Sequence, residues 1–133
     1  MSNVIVCGTD RSAGASRAAS VASRLAEGLH REVALVHIEG EPPWMRSITH
    51  ARQLRELRRN ADAHGFPRLG QVRIAGGEPA GELARVASEL DAELLVVGSH
   101  GRHELASAVL GSVTSELMRH APCPVVVVPP AAT

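Results

Sequence analysis

The sequence predicts an α/β fold, in which a single doubly wound sheet of five parallel strands carries helices on both faces. Short apolar runs of strand length alternate with longer segments of helical period, and 44% of the 133 residues are apolar. Strands joined through helices pair in parallel because their crossovers are right-handed. The length favours one domain, residues 1–133, with its own core.

The first half of the chain predicts two strands and two helices. Residues 4–7 are an unbroken apolar run, and residues 15–29 repeat alanine and leucine at helical spacing. Residues 32–38 form the second strand, which ends before a Pro-Pro pair that a central strand does not tolerate. Residues 48–64 predict a helix whose basic side is interpreted as a solvated face and not as a binding patch: Arg52, Arg55, Arg58 and Arg59.

The second half predicts three strands and two helices. Residues 71–75 form the third strand, and the Gly-Gly-Glu-Pro sequence after it predicts a turn into a helix at about 80–90. The apolar run 94–97 predicts a fourth strand that is buried on both faces. Residues 112–120 predict the last helix, and residues 123–128 predict the closing strand.

The charged residues exclude several function classes. The formal net charge is zero, so we expect neither nucleic acid nor an anionic membrane as a partner. All 14 basic residues are arginines. Without lysine the chain has no Walker A loop and no Schiff-base chemistry. A dinucleotide-binding oxidoreductase is excluded too, because the first strand is not followed by GxGxxG.

Cysteine, histidine and hydropathy patterns predict a cytoplasmic protein without a metal site. Cys7 and Cys123 stand apart among apolar residues and are interpreted as buried, reduced thiols. No leader-like segment opens the sequence, and no apolar run approaches the roughly 20 residues that span a bilayer. His100 and His103 lack further ligands at suitable positions, so no metal bound by protein side chains is predicted.

A glycine-rich segment near the C-terminus predicts a phosphate site. Backbone N–H groups can hold a polyphosphate only where no Cβ intervenes, which suits Gly98, Gly101 and Gly111. At a helix start, the Ser112 hydroxyl and the next two backbone N–H groups, of Val113 and Thr114, would face the same anion.

The candidate residues follow the carboxyl ends of the predicted strands, where ligands of such sheets lie. Asp10, after the first strand, suits ribose hydroxyls or a divalent ion, with an N-cap of the first helix as the alternative. Thr9 before it is interpreted as a turn residue at the edge of the site. Ile38 ends the second strand, and Gly98 follows the fourth.

These residues together resemble the universal stress protein family over essentially the whole chain. The segments that carry the resemblance are Asp10 with Ser12, Gly77-Glu78-Pro79, residues 95–101, residues 111–114 and residues 122–128. The motif G-x2-G-x9-G-[ST] marks the family members that bind ATP, and it is intact as Gly98, Gly101, Gly111 and Ser112. Two departures are Glu93, where aspartate is usual, and a short segment at 40–52.

The resemblance implies a Rossmann-like, adenine nucleotide α-hydrolase-like fold and an ATP-binding regulatory or stress-response protein. It implies no catalytic residue and at most slow ATP hydrolysis, because no lysine and no second carboxylate accompany Asp10. ATP, with Mg²⁺, is expected at Thr9, Asp10, Ile38, Gly98, Gly101, Arg102, Gly111, Ser112, Val113 and Thr114.

Alternatives to this function stay open at the level of sequence. One is an ATP-using enzyme of the α-hydrolase type, although its SGGxDS-like loop is replaced here by Gly8-Thr9-Asp10-Arg11-Ser12. Another is a partner-binding module with a vestigial pocket. The resemblance also implies a homodimer through the last strand, Val125 to Val128, and an internal strand is the alternative.

Overall fold

The computed structural model describes residues 3–9, 13–39, 52, 54–59, 65–76, 78–98 and 112–129. Strands and helices alternate along them in the order β1 (Val4–Thr9), α1 (Ala13–Leu29), β2 (Glu32–Glu39), α2 (helical residues 54–59), β3 (Leu69–Gly76), α3 (Pro79–Glu89), β4 (Leu94–Gly98), α4 (Ser112–His120) and β5 (Val125–Val128).

The five strands form one parallel sheet in the order β3-β2-β1-β4-β5, which confirms the predicted fold class. β1 lies in the middle and pairs with β2 along its whole length and with β4 over residues 5–7. From β1 the chain adds β2 and β3 on one side and then β4 and β5 on the other. The connections after β1 and after β4 therefore run in opposite directions. A crevice for ligands is expected at the carboxyl ends of these two strands.

Alternate strand residues pack into two cores on opposite faces of the sheet. On one face, Ile5 and Cys7 pack with the helix α1, which presents a fully buried alanine at every fourth position: Ala18, Ala22 and Ala26. On the other face, Val6 packs with the helices α3 and α4 through Leu83, Val86 and Leu117. Helices therefore cover both faces, as predicted.

The structure corrects several predicted boundaries. β1 runs two residues past Cys7, so Thr9 belongs to this strand, opposite His37 of β2, and not to a turn. β3 begins earlier than predicted, at Leu69, and β5 begins later, at Val125. Of the predicted helix 48–64, residues 52 and 54–59 are helical, and the other positions lie outside the described residues.

Glu93, the departure from the usual aspartate, has a structural role at the amino-terminal edge of the sheet. Its carboxylate lies 2.5 Å from Nε of Arg31, and its backbone N–H donates to the carbonyl oxygen of Val4. The longer side chain thus links the entries of β2 and β4 on either side of β1.

Candidate functional site

The candidate site lies at the carboxyl ends of β1 and β4. Cys7 and Val96 are register partners, and each strand continues two residues further, to Thr9 and Gly98. On the far side of β1, Ile38 follows His37, the partner of Thr9. The topology therefore brings Thr9, Ile38 and Gly98 to one edge of three adjacent strands.

The first turn of α4 is fixed against this edge. Thr114 is 2% exposed, and its hydroxyl donates a hydrogen bond of 3.1 Å to the carbonyl oxygen of Gly98. Fully buried Leu117, one turn later, anchors α4 in the core. Because the Thr114 hydroxyl already has this partner, the expected contribution of Thr114 to ligand binding is its backbone N–H.

The amino terminus of α4 suits an external anion. The helix begins at Ser112, so the N–H groups of its first three residues have no acceptor within the helix. The first turn contains no acidic residue, and Arg119 and His120 occupy the last turn, where positive charge complements the helix dipole. Nothing within α4 itself competes with a phosphate at this end.

The amino terminus of α3, in contrast, is already occupied by a carboxylate of the chain. Glu78 is the N-cap, and its two carboxylate oxygens accept from the backbone N–H groups of Ala80, at 3.2 Å, and Gly81, at 2.5 Å. Pro79 at the first helical position has no N–H to satisfy. Within the described residues, a carboxylate of the chain therefore caps α3, whereas the first turn of α4 contains no acidic residue.

Gly8, directly before the predicted site residues Thr9 and Asp10, sets the spacing beside the site. A Cβ at Gly8 would lie 2.9 Å and 3.0 Å from the two Cδ atoms of Leu83 and 3.5 Å from Val97. The absent side chain lets α3 pack closely over the end of β1. The available sequence signal was a glycine inside an otherwise apolar strand, which marks close backbone approach.

Several predicted site residues fall outside the described part of the chain: Asp10, Gly101, Arg102 and Gly111. Trp44, His100 and His103 also lie outside it. Thr9, Ile38 and Val113 are half-buried, whereas His37 is fully buried. The assignment of all the predicted site residues to a nucleotide stays a prediction.

The thiols differ in their surroundings. Both cysteines are free; Cys7 is fully buried, as predicted, but Cys123 is only half-buried, because it precedes β5 at the margin of the core. Burial raises the pKa of the Cys7 thiol to about 12 and also raises the pKa of Cys123.

The described residues contain neither a metal-ligand cluster nor a membrane-spanning helix. No cluster of three or more histidine, cysteine, aspartate or glutamate side chains is placed there to hold a metal ion. None of the helices in those ranges has the length and apolar character needed to cross a membrane.

Comparisons with known proteins agree on one family. The model of the universal stress protein family matches residues 1–129. A universal stress protein of Thermus aquaticus, from the 3' region of a QAH/OAS sulfhydrylase gene, is 31% identical over 96% of this chain and 99% of its own length. The Mycobacterium tuberculosis universal stress protein Rv2624c is 42% identical over 62% of the chain, but the match spans only 30% of that longer protein.

Solved structures of nucleotide complexes share the fold. A universal stress protein in complex with cAMP superimposes with a TM-score of 0.74 at 28% identity, covering 98% of both chains. The Archaeoglobus fulgidus universal stress protein in complex with dAMP gives a TM-score of 0.67 at 22% identity, covering 96% of this chain and 97% of its own. At that lower identity the second likeness shows the fold alone.

Proposed function

Because this chain belongs to the universal stress protein family, we propose that it binds ATP with Mg²⁺ and acts as a nucleotide-dependent regulatory or stress-response protein. One observation carries the proposal. The first turn of α4 is held by the Thr114–Gly98 hydrogen bond beside the ends of β1 and β4. That arrangement presents backbone N–H groups that have no acceptor inside the helix where parallel α/β sheets bind their ligands.

In the proposed complex, the phosphates lie on Gly111, Ser112, Val113 and the backbone N–H of Thr114. Gly98, Gly101 and Arg102 line the ribose and phosphate path, and Asp10 holds ribose hydroxyls or Mg²⁺. Thr9 and Ile38 border the nucleoside on the neighbouring strands. The nucleotide named for a related structure of 28% identity, cAMP, supports an adenine nucleotide, and the intact G-x2-G-x9-G-[ST] motif favours the triphosphate.

We propose that the regulatory signal is the occupancy of the site by ATP and not the hydrolysis of ATP. Fast phosphoryl transfer needs positioned cations and a residue that orients the attacking water. The chain contains no lysine, and the described first turn of α4 has no ionisable group. We expect ATP turnover well below the ~1–100 s⁻¹ of kinases. A rate in that range that is lost on Asp10→Ala would support the α-hydrolase-type enzyme instead.

The experiment combines mass spectrometry of nucleotide released from the purified protein with calorimetric titration of ATP. Gly101→Val and Gly111→Val should abolish binding, because a side chain would enter the phosphate path. The matched control is Gly28→Val in α1, where a Cβ meets nothing within 4 Å. Unchanged ATP affinity in both site variants, with native circular dichroism, would overturn the site; no affinity in the parent protein would favour the vestigial pocket.

We also propose a homodimer through β5. Within the described sheet, this strand is an edge that pairs only with β4. Three of its four valines are half-buried, and an apolar edge of this kind favours pairing with another chain. A two-fold contact between two β5 strands would satisfy their outward backbone groups.

A further inference from the structure

A groove runs along the other edge of the sheet, over β3. It consists of two adjoining hollows of about 220 and 480 Å³, which share Leu54 of α2 and Val72 of β3 as lining residues. One hollow extends between β3 and α3, and the other extends along α2. β2 separates β3 from β1 in the sheet, so the groove lies two strands from β1, and its residue Ala75 is the register partner of Ile38 in β2.

The lining of the groove is aliphatic. Leu54, Val72 and Ile74 are half-buried, and Ala75 and Val86 are buried beneath them. Among the residues that the structure describes, no aromatic side chain lines either hollow. Such a surface suits aliphatic side chains of a ligand and offers no ring on which a nucleic-acid base would stack.

The two rims of the groove differ in their charge balance. On the α3 side, Arg85 lies 2.8 Å from Glu82 and 3.0 Å from Glu89, and Arg73 lies 3.5 Å from Glu89. Positive charge on this rim is therefore matched by carboxylates of the chain itself.

The α2 rim carries positive charge that the described residues do not match. Arg55, Arg58 and Arg59 are exposed and line the larger hollow. The one acidic residue described in α2, Glu56, lies 3.6 Å from Arg52. Among the residues that the structure describes, no carboxylate lies within 4.0 Å of Arg55, Arg58 or Arg59. An aliphatic floor beside three guanidinium groups is complementary to a ligand that is both apolar and acidic.

We propose that this groove binds an acidic, amphipathic peptide segment of a protein partner. Aliphatic side chains of the segment would fill the space beside Leu54 and Val72. Its carboxylates would accept hydrogen bonds from the planar guanidinium groups of Arg55, Arg58 and Arg59. The groove adjoins the candidate nucleotide site where Ala75 pairs with Ile38, but the arginines of α2 are not among the residues proposed for the nucleotide. The inference therefore goes beyond the proposed function and does not depend on it.

The test is fluorescence polarisation of a labelled peptide of alternating glutamate and leucine with the full chain. Binding should weaken about tenfold or more in the triple variant Arg55→Glu/Arg58→Glu/Arg59→Glu, as expected for the summed loss of three exposed ion pairs. Arg24→Glu, at an exposed arginine on α1, is the control for charge reversal away from the groove and should leave affinity unchanged. Leu54→Ser should weaken binding without altering its salt dependence.

Several outcomes would overturn the proposal. These are equal binding of a lysine–leucine peptide, an equal loss in Arg24→Glu, or no binding of the acidic peptide by the parent protein. If a single-stranded RNA or anionic vesicles bind more tightly than the acidic peptide, and the triple variant loses this binding, the groove is a site for that ligand and not for a peptide. Displacement of the peptide by ATP would assign the arginines to the nucleotide site. Circular dichroism of each variant separates lost binding from lost folding, and the corresponding glutamine variants test neutralisation without charge reversal.

Discussion

The hydroxyl of Thr114 donates to the carbonyl oxygen of Gly98 at 3.1 Å, so the end of β4 and the first turn of α4 are joined directly. These residues bracket the glycine-rich segment in which the family motif lies. Because Thr114 is almost fully buried, its hydroxyl has little access to water as an alternative partner. The hydrogen bond therefore holds together the two ends of the segment between β4 and α4.

Replacing this hydroxyl should destabilise the fold. Thr114→Val keeps the shape but leaves the Gly98 carbonyl without its donor, and we expect a loss of about 1–3 kcal/mol in the free energy of unfolding by urea. Thr114→Ser restores the donor and should recover most of the loss. Ser115→Ala, at the exposed neighbouring position, is the control. Equal stability of the valine and parent proteins would show that the hydrogen bond contributes nothing.

A side chain at Gly8 should disturb the packing of α3. In Gly8→Ala the new Cβ would overlap the Cδ atoms of buried Leu83, and overpacking of this kind costs about 1–3 kcal/mol. The double variant Gly8→Ala/Leu83→Ala should lose less free energy of unfolding than the sum of the two single losses. Gly28→Ala, where a Cβ meets open space within α1, should instead stabilise the helix by about 0.5–1 kcal/mol. Additive behaviour of Gly8→Ala and Leu83→Ala would contradict the contact.

The Glu78 carboxylate should stabilise α3 by capping it. Glu78→Ala removes the acceptor for the N–H groups of Ala80 and Gly81, and we expect a loss of about 0.5–2 kcal/mol in urea unfolding. Glu27→Ala, at an exposed position of α1, serves as the comparison for removing a glutamate without a cap. If both substitutions change stability equally, the cap has no energetic role.

The thiols should differ in reactivity. At about pH 8, iodoacetamide should label half-buried Cys123 well before Cys7, because only the exposed thiolate reacts. The pKa of Cys7 is raised from 9.0 to about 12 by burial. Its protonated form therefore stabilises the fold fully below about pH 9, and this stabilisation decreases as the pH rises towards 12. In Cys7→Ala the decline of stability above pH 9 should be shallower, as measured by urea unfolding across that range; an identical slope would contradict the shift.

The proposed dimer can be tested at the outward backbone groups of β5. The backbone N–H of Leu95 donates to the carbonyl oxygen of Pro124, so Val126 directs its backbone groups to β4, and Val127 directs its own outward. Val127→Pro should dissociate the dimer in light scattering by removing an outward N–H. Val126→Asp should dissociate the dimer too. Because Val126 and Val127 each pack against one of the two cores, circular dichroism of both variants must show the native fold. A monomeric parent protein at tens of micromolar would exclude the dimer.

Local patterns in the sequence determined the elements and the family. Apolar runs and helical spacing identify strands and helices because side-chain periodicity depends only on near neighbours, and β4 and α4 were predicted to within a residue. The glycine motif and the closing valine strand sufficed for the family, which the match over residues 1–129 confirms.

Tertiary structure decided which of these elements are in contact and which backbone groups at the helix ends already have partners. The position of β5 at an edge, the contact of Gly8 with Leu83 and the groove between α2 and β3 all join residues distant in sequence. No local pattern encodes such contacts, since they depend on strand order and on how closely helices approach the sheet. For the same reason, sequence predicted an anion site at the start of α4, but only the fold showed that Glu78 fills the corresponding end of α3 and that Thr114 is held by Gly98.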